Sequence, residues 1–190
     1  SDNLAIRGII EASPGTDKHI ITSQIEHHAV LHTCQNLEKI GIEVSYLPVD
    51  RSGQVDPNDV SKSIKNNTLM ISIMHANNEI GTIQPLREIG KYLEKINKTR
   101  KNKIYFHSDA CQGAGILELN VNKLHLDLLT LSGSKIYGPK GIGALYMRRK
   151  NPRVQLQPII FGGGHERGIR SGTLAVHNIV GLGKACELAE

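Results

Sequence analysis

Short apolar segments alternate with segments of helical periodicity along most of the chain. Runs rich in apolar and β-branched residues predict six strands, at residues 18–23, 43–47, 68–74, 104–107, 126–131 and 143–148. Helical spacing, capping residues and an early proline predict helices at 2–11, 28–40, from 56 onward, at 85–96 and at 174–190. Strands that are apolar on both faces and alternate with helices predict an α/β fold with three layers, α/β/α, around a mostly parallel sheet.

Polar side chains follow four of the predicted strands. In a parallel α/β sheet the carboxyl ends of the strands meet at one edge, and ligands bind in the crevice beyond that edge. The sequence therefore predicts a site formed by the residues that follow these strands, namely His27, Asn78, Asp109 with Gln112, and Ser132 with Lys135.

A lysine on the tight turn 132–135 is well placed to form a Schiff base with an aldehyde. The best-known aldehyde cofactor is pyridoxal 5'-phosphate (PLP), which needs a carboxylate near its pyridine nitrogen to act as an electron sink. Asp109 is the candidate for that carboxylate, and His27 is a candidate both to cover the face of the ring and to move protons.

Other polar groups suit the remaining atoms of this cofactor. Gln112 could donate a hydrogen bond to the phenolic oxygen, and the hydroxyls of Ser132 and Thr173 suit a phosphate. The free N–H groups at the start of the helix 2–11 suit the same phosphate.

Each of these residues also has an ordinary structural interpretation. Alone, His27 would be structural or solvated, Asp109 would cap a helix over 110–113, and Lys135 would be a surface lysine. The pair 77–78 would form a turn. The glycine-rich segments lack the P-loop pattern, and the spacing of His, Cys and Asp suits no closed tetrahedral metal site. The hypothesis of a PLP site therefore depends on the residues acting together.

Composition narrows the choice of partners. The chain has 190 residues, a formal net charge of +5 and 4% aromatic residues, without tryptophan. The basic clusters are short and lack interleaved aromatics, which disfavours nucleic-acid binding. No segment reaches the roughly 20 apolar residues of a membrane span, so we expect no membrane partner. Three dispersed cysteines favour a reducing compartment, the cytoplasm or a mitochondrial or similar organelle.

Six segments of the chain closely resemble the cysteine desulfurases of the NifS/IscS type, which are PLP enzymes of the aspartate-aminotransferase superfamily. The matching segments are residues 1–6, 26–31 (EHHAVL), 74–81 (MHANNEIG), 109–112 (DACQ), 135–146 (KIYGPKGIGALY) and 162–173 (GGGHERGIRSGT). The last two are long and specific, and the match runs essentially from end to end. The resemblance implies the large PLP-binding domain of a type I PLP enzyme.

The resemblance also implies roles around the cofactor ring. Lys135 matches the Schiff-base lysine, and Asp109 matches the partner of the pyridine nitrogen. Gln112 would contact the phenolic oxygen. His27 would stack on the ring and assist proton transfer.

Further roles implied by the resemblance concern the phosphate and the substrate. Ser132 would hold the phosphate, and Thr173 would reach the phosphate of the neighbouring subunit in a homodimer. Asn78 would help to hold the substrate carboxylate. Ser134 stands where the family has a phosphate-binding histidine, so a shorter, uncharged hydroxyl would take that contact. Cys111 stands where the family has threonine.

The resemblance implies that residues 1–190 are the central part of the large domain. The family's phosphate loop would precede Ser1, and its small domain, with the cysteine that carries the persulfide, would follow Glu190. The implied reaction removes sulfur from L-cysteine to give L-alanine and an enzyme persulfide, for an iron–sulfur scaffold or a tRNA-modifying enzyme. Residues 1–190 alone are then expected to be inactive.

Two other functions stay open on the sequence. The chain could be a truncated, non-catalytic remnant of the PLP fold that serves as an assembly partner. It could also belong to another PLP lyase, such as a selenocysteine lyase. Turnover of an amino acid other than cysteine would favour the latter.

Overall fold

A six-stranded sheet forms the centre of the protein, for which the computed structural model describes residues 1–189. The strands are β1 (His19–Ser23), β2 (Glu43–Leu47), β3 (Thr68–Ser72), β4 (Tyr105–Asp109), β5 (Leu128–Ser132) and β6 (Gly143–Met147). Their spatial order is β2-β1-β3-β4-β5-β6. Strands β1 to β5 pair in parallel and β6 pairs antiparallel with β5. The predicted α/β class with a mostly parallel sheet is confirmed.

Within residues 1–189, five α-helices lie around this sheet. They are α1 (Asp2–Ala12), α2 (His28–Glu38), α3 (Pro57–Ser63), α4 (Leu86–Asn97) and α5 (Val176–Leu188). Helices α1 and α2 pack on one face, and α3 and α4 pack on the other. Helix α5 packs beside the segment that follows β5, through Ala185 and Ile136.

The alternation of side chains along each strand divides the core into two layers. Ile20, Met70 and Leu128 pack toward α1 and α2, whereas their chain neighbours Ile21, Ile71 and Leu129 pack toward α3 and α4. Because both faces are covered, the inner strands can be apolar at successive positions, and this is the pattern from which the layers were predicted.

Several predicted boundaries differ from the structure by a few residues. The helix predicted over 28–40 ends at Glu38. Just after it, Gly41 has a φ of +88°, and the N–H of Ile42 donates to the carbonyl of Leu37. This is a Schellman motif, in which glycine stops the helix. Strand β4 extends to Asp109 instead of stopping at 107. The closing helix predicted over 174–190 covers 176–188, and Glu190 lies outside the described residues.

Among residues 1–189, none of the helices combines the length and the apolar character that a membrane crossing requires.

Two helical glycines give opposite expectations for the same substitution. A Cβ on Gly90 in α4 would collide with the backbone carbonyl of Leu124 and lie 2.7 Å from the Cβ of His125. A Cβ on Gly183 in α5 would meet nothing within 4 Å. We therefore expect Gly90→Ala to lower the free energy of unfolding by about 1–3 kcal/mol through overpacking. We expect Gly183→Ala to raise it by about 0.5–1 kcal/mol through helix propensity.

Urea titration of both variants beside the wild-type chain measures these changes. The second variant is the matched control, because it makes the same chemical change on a helix with open space. Equal effects of the two substitutions would contradict the close contact between α4 and the segment 124–125.

Candidate active site

A cavity of about 420 Å³ opens at the carboxyl ends of β3, β4 and β5. Its volume lies within the range of small-molecule sites in proteins. Six of the eight residues selected from the sequence line it, which are His27, Asn78, Asp109, Gln112, Ser132 and Lys135. The parallel sheet thus brings together side chains that lie far apart along the chain.

Asp109 forms the buried floor of this cavity. Its side chain ends β4, and the residue is only 7% exposed. One carboxylate oxygen, Oδ1, accepts a hydrogen bond of 2.9 Å from the backbone N–H of Cys111. The helix considered over 110–113 does not form, because the chain makes successive turns there. Among residues 1–189, the other carboxylate oxygen, Oδ2, accepts no hydrogen bond from a backbone N–H, and the Cys111 thiol is the side-chain donor beside this carboxylate.

His27 lies on the exposed rim, at the N-cap of α2. Its Nδ1 accepts a hydrogen bond of 3.1 Å from the N–H of Ala29, as a capping side chain does. Because Nδ1 is an acceptor there, a neutral His27 carries its proton on Nε2, which is the nitrogen free for a ligand.

Asn78 reaches the rim from the turn after β3. The preceding residue, Asn77, builds this turn because its Oδ1 accepts the N–H groups of Glu79 and Ile80, at 2.8 and 3.0 Å. The side chain of Asn77 is buried, whereas Asn78 is exposed and lines the cavity. The structural interpretation of this asparagine pair as a turn is correct for Asn77.

Lys135 lies on a short 3-10 helix, Gly133–Ile136, that continues directly from β5. Gly133 allows this sharp change of direction, because a Cβ there would lie 2.8 Å from Ile142 Cγ2 and 3.1 Å from the carbonyl of Pro139. Lys135 is exposed and lines the cavity beside Ser132.

Two selected residues do not line the cavity. Ser134 is exposed and reaches it only through Ser132, since the two Oγ atoms are 3.3 Å apart. Thr173 is exposed in the glycine-rich segment before α5. Its expected contact is with the phosphate bound by a neighbouring subunit, and that role stays a prediction.

A buried polar network supports the floor behind Asp109. His107 on β4 contacts Ser72 Oγ through Nδ1 at 2.8 Å and Thr130 Oγ1 through Nε2 at 3.1 Å. Its Nε2 also lies 3.7 Å from Asp2 Oδ1. Burial lowers the pKa of His107, while the carboxylates of Asp2 and Asp109 oppose that shift. The imidazole is therefore neutral and joins β3, β4 and β5 by hydrogen bonds.

The sequence analysis did not select several residues that form this site. Asp2, Met74, Thr130 and Cys111 line the cavity. Met74 lies just beyond the end of β3, as the selected residues do at their strands, so position alone could have found it, whereas Thr130 lies within β5. Asp2 comes from α1, and no local signal in the sequence places it beside His107.

Cys111 is the cysteine that lines the cavity, but its environment is unsuited to a nucleophile. Burial and the nearby carboxylate of Asp109 raise the pKa of its thiol far above the usual range. The thiolate, which is the reactive form, is then absent near neutral pH.

The residues of the cavity fit PLP by the chemistry of their side chains. The amine of Lys135 suits the aldehyde, and the buried carboxylate of Asp109 suits the pyridine nitrogen. The planar imidazole of His27 suits the face of the ring, and the hydroxyl of Ser132 suits the phosphate. Across the described residues, no group of three or more His, Cys, Asp and Glu side chains is arranged to hold a metal ion.

The fold is a mostly parallel α/β sheet with a cavity at the carboxyl ends of its strands, where α/β proteins commonly bind ligands. Comparison with known families gives this class a name. The family model for class-V aminotransferases matches residues 1–190. The chain belongs to the class-V aminotransferase family.

The curated relatives of the chain include several named cysteine desulfurases. Cysteine desulfurase IscS of Methanosarcina thermophila is 54% identical over 189 residues, which cover 100% of this chain and 45% of that protein. The mitosomal cysteine desulfurase of Encephalitozoon cuniculi is 52% identical over 190 residues, which cover 99% of this chain and 42% of that protein. The chain thus spans less than half the length of these relatives.

Solved structures of related proteins have the same fold as this chain. SspA in complex with cysteine has a TM-score of 0.90 and 45% sequence identity, covering 98% of this chain and 52% of that chain. A NifS-like protein has a TM-score of 0.90 and 40% identity, covering 100% of this chain and 50% of that chain.

The three buried histidines generate a prediction about pH. Burial lowers the pKa of His19, His75 and His107 below the ordinary 6.5. Below pH 6.5 the unfolded chain binds protons that the folded chain excludes, so each histidine makes the folded state less stable as the pH falls. The contribution is up to about 1.4 kcal/mol per pH unit for each histidine.

Titration of the imidazole ring signals by NMR measures this directly. We expect each of these three rings to titrate at a lower pH in the folded chain than in the unfolded chain. The chain unfolded in urea is the control, in which the same rings should titrate near 6.5. A folded-state midpoint at or above that value for His107 would contradict its assignment as a neutral support of the floor.

Proposed function

We propose that the whole protein is a PLP-dependent cysteine desulfurase, which converts L-cysteine to L-alanine and leaves the sulfur as a persulfide on an enzyme cysteine. The observation that carries this proposal is the cavity that combines Lys135, Asp109 and His27. This combination occurs in a chain about half identical to named cysteine desulfurases.

When bound, PLP would supply an electron sink conjugated to the α-carbon of the substrate. Lys135 would hold the aldehyde carbon through Nζ, since its exposed amine lines the cavity. Asp109 would hold a proton on the pyridine nitrogen with Oδ2, while the N–H of Cys111 keeps the other oxygen in place.

The rim residues would orient the ring and the substrate. His27 would lie on the face of the ring, and its Nε2 would move protons while Nδ1 remains bound to the N–H of Ala29. Gln112 would donate to the phenolic oxygen. Asn78, which is exposed at the rim, would bind the substrate carboxylate.

The hydroxyls near Lys135 would bind the phosphate. Ser132 lines the cavity, and its contact with Ser134 supports an assignment of both to this role. We assign Thr173, which is exposed, to the phosphate of a neighbouring subunit in a homodimer.

Sulfur transfer requires a thiolate. The C–S bond of cysteine breaks, the sulfur forms an S–S bond with an enzyme thiolate, and the β-carbon takes a proton to complete alanine. The raised pKa of the Cys111 thiol argues against that residue. Neither Cys34, whose buried thiol has a pKa raised to about 12, nor Cys186 lines the cavity. We therefore assign the persulfide to a cysteine outside residues 1–190, and we assign these residues to the central part of the large PLP-binding domain.

The proposal includes a sulfur acceptor and a compartment. An iron–sulfur scaffold or a tRNA-modifying protein would receive the sulfur. Cys34, Cys111 and Cys186 are free thiols, which supports a reducing compartment, the cytoplasm or an organelle.

Replacing Lys135 tests the cofactor site. We expect the chain to acquire a visible absorption band on addition of PLP and Lys135→Ala to lose that band entirely, because the amine that would bind the aldehyde is removed. Absorption spectroscopy after removal of free PLP measures the effect. Lys91→Ala, at an exposed position on α4, is the matched control and should keep the band. A band that survives in Lys135→Ala would contradict the role of Lys135.

Product analysis tests the reaction of the whole protein. With PLP and L-cysteine we expect equal amounts of alanine and of sulfur bound as persulfide. Turnover of selenocysteine or another amino acid, without turnover of cysteine, would contradict the desulfurase assignment and favour another PLP lyase. A band without turnover of any amino acid would favour a non-catalytic member of the fold.

A further inference from the structure

Glu26 is a buried carboxyl group directly beside the candidate site, between β1 and His27. It is 4% exposed. Its Oε1 accepts a hydrogen bond of 2.7 Å from Ser23 Oγ and another of 2.9 Å from the backbone N–H of Met74. Glu26 and Met74 are 48 positions apart, so this contact joins the segment after β1 to the segment after β3.

A second hydrogen bond joins the same two segments, and its donor again lies on the segment after β3. Asn77 Nδ2 donates to the carbonyl of Ile25 at 2.9 Å. One segment ends in His27 and the other presents Asn78, and both of these side chains line the cavity. The two hydrogen bonds together form a clasp, here defined by Glu26–Met74 and Asn77–Ile25, that fixes the separation of His27 from Asn78.

The surroundings of Glu26 favour its un-ionised form. Its Oε2 is buried and has no hydrogen-bond partner among the described residues. The neighbouring titratable groups that affect the pKa of Glu26 are the carboxylates of Asp109 from β4 and Asp2 from α1. The thiol of Cys34 from α2 is also near, and a negative charge on Glu26 would raise its pKa. An ionised carboxylate placed there would lack both water and a cation. Burial accordingly raises the pKa of Glu26 to about 8.

We propose that Glu26, as a neutral carboxylic acid, is a positioning residue that holds the rim segment of His27 against the rim segment of Asn78. The meaning of this position for catalysis rests on the proposed function, because His27 and Asn78 would contact the cofactor and the substrate. The position itself depends only on contacts within this chain.

The variant Glu26→Gln separates the neutral form of the group from its charge. A glutamine keeps the length and the Oε1 acceptor for Ser23 and Met74, and it cannot ionise. Glu26→Ala removes the acceptor and leaves the N–H of Met74 unpaired. Glu88→Gln is the control, because it removes one carboxylate from an exposed position on α4.

Backbone and ring signals measure the position of the rim without cofactor. We expect Glu26→Ala to shift the NMR signals of His27 and Asn78, and Glu26→Gln to restore them. With PLP we expect Glu26→Ala to bind about tenfold more weakly than the wild type and Glu26→Gln to stay within about threefold.

The pH dependence of stability reports the protonation of Glu26. Between pH 4.5 and about 8 the folded chain keeps a proton that the unfolded chain releases. The unfolding equilibrium constant of the wild type should therefore rise, relative to Glu26→Gln, by up to about tenfold per pH unit through this window. Above it the ratio should become constant. The control Glu88→Gln should follow the wild type.

The outcomes distinguish this inference from the proposed function. Failure of the wild type to bind PLP would contradict the proposed cofactor site, while the signals and the pH dependence would still test Glu26. The inference is overturned if Glu26→Gln displaces His27 and Asn78 as much as Glu26→Ala does. It is also overturned if the stability of Glu26→Gln has the same pH dependence as the wild type.

Discussion

The site depends on backbone hydrogen bonds that continue beyond the strands at one edge of the sheet. The N–H of His75 donates to the carbonyl of Asp109 at 2.8 Å, and the N–H of Ala110 donates to the carbonyl of Thr130 at 3.0 Å. Asp109 is thereby fixed from both sides, by the extension of β3 and by β5. A carboxylate on a free loop could not be held at the bottom of a cavity in this way, since its backbone would need water on its polar groups.

The same edge carries an electrostatic cost that the neighbouring groups reduce. Asp2, Glu26 and Asp109 lie close together in a region from which water is largely excluded. Three carboxylates cannot all be ionised there without strong repulsion. Burial, together with the nearby carboxylates of Asp109 and Asp2, raises the pKa of Glu26 to about 8. Near neutral pH Glu26 can therefore hold the two rim segments together without adding a negative charge at this edge.

Much of the fold could be predicted from the sequence because its signals are local. Apolar runs such as 68–74 specify strands, Gly41 specifies a helix end, and the strand ends select candidate residues. The antiparallel direction of β6 and the contact of Glu26 with Met74 could not be predicted, because both depend on segments distant in the chain. The position of Thr173 relative to the cavity could not be predicted either. Its motif is specific, but its place outside the cavity depends on the path of the glycine-rich segment.

The cavity has a buried floor and an exposed rim, and these two parts differ in how they depend on the rest of a protein. The floor is fixed by hydrogen bonds among β4, β5 and the segments that follow β3 and β4, so the proposed contact of Asp109 with a flat ring would need only these residues. In the proposed site the phosphate contacts would fall to Ser132 and Ser134, which are partly or fully exposed and carry no charge. In the proposed function, affinity for the ring and affinity for the phosphate would therefore be separable, and additional groups would have most effect on the phosphate side.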